Sequence, residues 1–118
     1  LGICLGHQLI AKAYGGQIDT SNTESYAKVE INIVNDENLF SGLAPKMEVW
    51  SSHKDEVKSI PDDFEILANS NLCDVESFKH TEKDVYGIQF HPEVHHTPKG
   101  STIFENFYEI CKKRCNND

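Results

Sequence analysis

Between Tyr26 and Val34 the chain alternates, with Val29, Ile31 and Ile33 on one side and Lys28, Glu30 and Asn32 on the other. A period of two marks a strand with one buried face. Shorter runs predict strands at Met47–Ser51, Phe64–Ser70, Val75–His80 and Val85–Phe90, the last two as a hairpin, separated by turn residues such as Pro61-Asp62-Asp63 and Glu82-Lys83-Asp84. Two segments change to a helical period. Leu5–Tyr14 places Leu9, Ile10, Ala13 and Tyr14 on one face and stops at Gly15-Gly16. The last helix is expected from Thr97 as N-cap, with Pro98 in its first position and a stripe of Ile103, Phe104, Phe107, Tyr108, Ile110 and Cys111. The residues from Asn35 to Gly42 read as turn-rich, and Ser52 to Asp55 as a polar turn after a strand. Strands mixed with two amphipathic helices predict an α/β fold.

The chemistry-bearing pattern lies at the start, Leu1-Gly2-Ile3-Cys4-Leu5-Gly6-His7-Gln8. A cysteine between two glycines, ending an apolar strand and opening a helix, describes a sharp turn that lifts the thiol onto the sheet edge. The helix dipole there favours thiolate over thiol, and the Leu5 backbone N–H would point where an oxyanion forms. The matching partners are in Val85-Tyr86-Gly87-Ile88-Gln89-Phe90-His91-Pro92-Glu93. In extended backbone residues two apart share a side, so one nitrogen of His91 can face Cys4 while Glu93 fixes the other. A thiol nucleophile needs such a base, and the base needs a third group to hold its tautomer.

With both motifs in place, LGICLGHQ and GIQFHPEV together resemble the class I glutamine amidotransferases, the triad-type glutaminases. The resemblance runs over essentially the whole chain. It implies a Rossmann-like (flavodoxin-like) α/β domain in which Cys4 attacks the side-chain amide of glutamine, forms a glutamyl thioester and releases ammonia. It further implies His91 as general base and acid, Glu93 as the group orienting it, Leu5 N–H as an oxyanion donor and Gln8 as a residue holding bound glutamine. Within the family, His91 to Gly100 resembles the HPEVxHTxxG form of GMP synthetases. The segment Ser52-His53-Lys54-Asp55 is similar to their SHGD segment, with Lys54 in place of glycine, as in the separately encoded glutaminase subunits of archaeal GMP synthetases. By that likeness Ser52 and His53 contact glutamine.

The implied partner is an ATP-pyrophosphatase subunit or domain that adenylates xanthosine monophosphate and accepts the ammonia to make GMP. ATP and magnesium would belong to that partner, and this chain would need no cofactor. An amidotransferase of anthranilate or aminodeoxychorismate synthesis, and a non-catalytic binding module, are the other readings. His91, His95, His96, Cys111 and Cys115 lack a recognised zinc spacing, so no metal is expected.

Composition narrows the setting. The chain has 118 residues, enough for one domain. Eleven basic against nineteen acidic residues give a net charge of −8, which argues against nucleic-acid or anionic-membrane partners. Four cysteines, at 4, 73, 111 and 115, have no disulfide-scaffold density, and no signal-peptide pattern is present, so a cytoplasmic protein is expected. Because Leu1 already reads as part of a central strand, residues 1–118 are expected to be the C-terminal portion of an amidotransferase domain whose first βα units, including a glycine-rich oxyanion loop, lie upstream.

Overall fold

The computed structural model describes residues 1–35, 38–43, 45–70, 74–92 and 100–116, with the backbone alone at 19–27, 38, 51–56 and 114–116. In chain order these form β1 (Gly2–Ile3), α1 (Leu5–Ala13), β2 (Gln17–Ile33), a 3-10 turn at Asn38–Phe40, β3 (Lys46–Ser59), β4 (Phe64–Asn69), β5 (Ser77–His80), β6 (Tyr86–Ile88) and α2 (Gly100–Asn116). The strands make one six-stranded sheet in the order β1-β6-β5-β4-β2-β3. β1 and β6 run parallel, with Gly2 beside Gly87 and Ile3 beside Ile88; the other neighbours are antiparallel. The sheet curls. His91, just past β6, donates its backbone N–H to the Trp50 carbonyl at 3.0 Å, so edge strand β3 returns to the chain leaving β6.

Successive strand residues face opposite ways, and each face carries its own core. On one, Ile31, Val49, Leu67, Ile88 and Phe90 pack with Ile103 of α2. On the other, Val57, Phe64 and Phe78 pack with Ala11 of α1. The two helices thus cover opposite faces of a mixed sheet, an α/β arrangement, and the expected hairpin is β5–β6, pairing Phe78 with Gly87 and Lys79 with Tyr86.

Several expected boundaries move. β2 begins nine residues before Tyr26, and β3 continues to Ser59, so Ser52–Asp55 is strand, with Ser52 opposite Tyr26 and His53 opposite Ser25. Polar sequence is carried there because a two-stranded ribbon satisfies its own main-chain groups without an apolar face. Leu39 and Phe40, in the turn-rich stretch, are fully buried. Asn106 Nδ2 of α2 donates to the carbonyls of Leu39 at 2.8 Å and Ser41 at 2.9 Å, which fastens that turn over the core. On α2, Ile103, Phe107 and Ile110 face the sheet at helical spacing, whereas Phe104 and Tyr108 lie one stripe further round and are exposed. The expected cap at Thr97 and Pro98 lies outside the described residues.

α1 departs most. Its buried residues are His7, Gln8 and Ala11, while Leu5 and Leu9 are 64% and 57% exposed. His7 Nε2 lies 3.0 Å from the Val75 carbonyl, and its ring stacks on Phe78 with centroids 4.5 Å apart and planes 18° from parallel. That imidazole seats the helix on the sheet.

Candidate active site

Cys4 sits between β1 and α1 with φ 53° and ψ −101°, the one non-glycine residue of positive φ among those described. Such a conformation costs on the order of 1–3 kcal/mol and persists where surrounding structure over-determines it. Two hydrogen bonds do so. Cys4 N–H donates to the Ile88 carbonyl of β6 at 2.8 Å, and the Cys4 carbonyl accepts the Gln8 N–H at 3.2 Å in the first turn of α1. The flanking glycines are not equivalent. A Cβ on Gly2 would lie 2.6 Å from the Gly6 backbone and from Ile10 Cδ1, whereas a Cβ on Gly6 would meet nothing within 4 Å. The close passage of strand and helix therefore requires glycine at Gly2 and not at Gly6.

Because β1 and β6 are parallel neighbours, their carboxyl ends open on the same edge, where open α/β sheets bind ligands. Cys4 directly follows the end of β1, and His91 lies three residues past the end of β6. His91 is half-buried and is held by its bridge to Trp50. The next residue, Pro92, is buried, and its carbonyl lies directly against Gly100 at the start of α2, so any Cβ at Gly100 would collide with it. The glycine ending the His91–Gly100 motif thereby lets α2 back onto the segment that presents His91.

A polar link spans the two strand ends. Gln89 Nε2 donates to Cys4 Sγ at 3.6 Å, and Gln8 Nε2 donates to Gln89 Oε1 at 3.1 Å. Sequence reasoning assigned Gln89 nothing. Its signal was a polar side chain in the middle of the Gly87-Ile88-Gln89-Phe90 run, a position that is fully buried. His7, three residues after Cys4, faces Val75 and Phe78 beneath the helix.

Of the other expected site residues, Leu5 opens α1, where backbone N–H groups have no partner within the helix. Gln8 also borders a cleft of about 340 Å³ with Leu5, Leu9, Lys12, Gly16 and Ile18; Cys4 and His91 are not in its lining. Ser52 and His53 lie on β3 just past Trp50, with side chains outside the description. Glu93 lies outside the described residues. The fold thus brings together Cys4, Leu5, Gln8 and Gln89 at the end of β1, with His91 three residues beyond β6.

Residues 1–111 match the family model for glutamine amidotransferase class-I. The chain belongs to this family. Among relatives of this amidotransferase, the glutamine-hydrolyzing GMP synthase subunit of Methanothermobacter thermautotrophicus is 62% identical over 112 residues, 95% of this chain and 60% of that protein. Its counterpart from Methanosphaera stadtmanae is 57% identical over the same coverage. A crystal structure of a putative GMP synthase subunit from Thermoplasma acidophilum superposes with a TM-score of 0.94 at 39% identity, over 98% of this chain and 58% of that one. A glutamine amidotransferase from Thermotoga maritima, 24% identical, has the same fold with a TM-score of 0.72, over 98% of this chain and 47% of that one. This amidotransferase chain therefore spans about 60% of the curated relatives it matches and is a partial domain.

Proposed function

We propose that this chain is the nucleophile-bearing part of the glutaminase of a GMP synthase, releasing ammonia from glutamine for an ATP-pyrophosphatase partner. The observation that carries the reading is Cys4, held at positive φ on the end of β1 beside the parallel strand that leads to His91. Membership of the family supplies the reaction class, and the GMP synthase relatives supply the pathway.

In this reading the Cys4 thiolate attacks the side-chain carbonyl carbon of glutamine, and the electron pair moves to oxygen, which the Leu5 N–H at the start of α1 stabilises. His91, carrying the thiol proton, delivers it to the amide nitrogen, and the C–N bond breaks to leave ammonia and a thioester. Water then attacks the thioester with His91 as base, and glutamate departs as the thiol is restored. Glu93 holds the His91 tautomer. Gln8, Ser52 and His53 contact the glutamine. ATP and magnesium act on the partner, where the nucleotide is activated, and this chain contributes no cofactor. A catalytic thiol suits a reducing, cytoplasmic setting.

The test uses the full-length protein with its partner. Cys4→Ala should abolish glutamine-dependent GMP formation and glutamate release while synthesis from added ammonium salt continues. Undiminished glutaminase activity in that variant would refute the proposal, and assembly with a chorismate-using partner would refute the pathway.

A further inference from the structure

We propose that Gln89 holds Cys4 in its thiolate form by donating its side-chain amide to Sγ, and that Gln8 sets Gln89 in the orientation that does so. The inference rests on Cys4 as the nucleophile. Gln89 has no solvent exposure, and a buried amide in a folded protein has its hydrogen-bonding groups engaged. Its two ends are engaged in opposite senses: Oε1 accepts from Gln8 Nε2 at 3.1 Å, which turns the amide N–H toward Cys4 Sγ at 3.6 Å.

An amide nitrogen has protons to give and no lone pair to receive, so the group facing the sulfur favours a charged acceptor over an S–H donor. Hydrogen bonding to the charged form stabilises that form. Gln8, 8% exposed and one turn into α1, is placed by the same Cys4–Gln8 backbone bond that starts the helix. Strand end, helix start and amide orientation are therefore one unit. Gln8 acts on the sulfur through Gln89 and is a positioning residue in this respect.

The experiment follows alkylation of Cys4 by iodoacetamide against pH in the full-length protein without glutamine, with the modified peptide identified by mass spectrometry. The expected wild-type midpoint lies below the ordinary thiol value of about 8.5. Gln89→Met fills the same volume without a donor and should raise the midpoint by about one pH unit. Gln8→Met removes the donor that holds Gln89 Oε1 without adding a charge, so the Gln89 amide is no longer held toward the sulfur and the midpoint should rise here too.

A residue with a purely structural or substrate-binding role would change stability or the KM for glutamine without moving that midpoint. Unmoved midpoints in folded variants would overturn the assignment and leave the Cys4 nucleophile standing. If Gln89→Met fails to fold, Gln8→Met decides alone, because it acts from the neighbouring helix and adds no charge near the sulfur. A wild-type midpoint at the ordinary thiol value would likewise overturn the assignment, whereas the nucleophile reading stands or falls with Cys4→Ala.

Discussion

Replacing Gly2 and Gly6 by alanine should move stability in opposite directions, although both belong to the same motif. At Gly2 the added Cβ would lie 2.6 Å from the Gly6 carbonyl carbon and oxygen and from Ile10 Cδ1, and ordinary contact begins near 3.4 Å. The Ile10 side chain can turn aside, but the Gly6 backbone moves only if α1 moves, by about 0.8 Å away from β1. Overpacking of this kind costs about 1–3 kcal/mol, and a rigid backbone obstacle places Gly2→Ala in the upper part of that range. The same displacement acts on Cys4, whose carbonyl begins the helix. A shift near 1 Å at a reacting group costs on the order of a hundredfold in rate. Gly6 lies within the helix with open space at its Cβ position, so alanine should stabilise by about 0.5–1 kcal/mol through the unfolded chain. Urea unfolding of the two variants beside wild type measures the first effect, and glutamate release the second. A Gly2→Ala protein that unfolds at the wild-type urea midpoint would refute the close-approach argument. A loss at Gly6 would refute the claim that its outer side is open.

Two further outcomes follow from other contacts. Gly100→Ala pushes α2 off the Pro92 carbonyl and should cost about 1–3 kcal/mol, with glutaminase activity falling further than the folded fraction, because Pro92 follows His91; equal falls in urea titration and activity would argue against that coupling. Burial first, and then the nearby Asp84 carboxylate, push the Tyr86 hydroxyl above its ordinary pKa of 10.0. The folded state therefore holds that proton more tightly, so its contribution is full below pH 10 and is lost as pH rises through the folded pKa. Tyr86→Phe keeps the edge-on contact with Phe107 and should flatten the loss of thermal stability above pH 10; an unchanged alkaline slope would count against it.

What the sequence made legible was local. The Cys4 turn is written in adjacent residues, and the strand carrying His91 in its own alternation, so neither needed knowledge of what lies across the sheet. The β2–β3 ribbon was not legible in its polar half, because pairing there is decided by the partner strand's main chain rather than by side-chain period. Leu39 and Phe40 were lost to turn residues around them, since nothing in their neighbourhood announces that Asn106, far along the chain, will bind that turn.

α1 presents the sharper case. An apolar-face reading turns Leu9 and Tyr14 inward, yet against this sheet the helix packs His7, Gln8 and Ala11, with Leu5 and Leu9 on its other side. Within these 118 residues the contacts that fix the rotation of α1 come from its polar side and not from Leu5 or Leu9. The observed rotation is the one that stacks His7 on Phe78, brings Gln8 to Gln89 and turns the Gln89 amide to Cys4 Sγ. Those contacts, with the Gly2–Gly6 approach, fix the helix by specific polar and steric fit. Local rules are broken where a site must be built, and the residue reached through that break, Gln89, is the one no periodicity could have named.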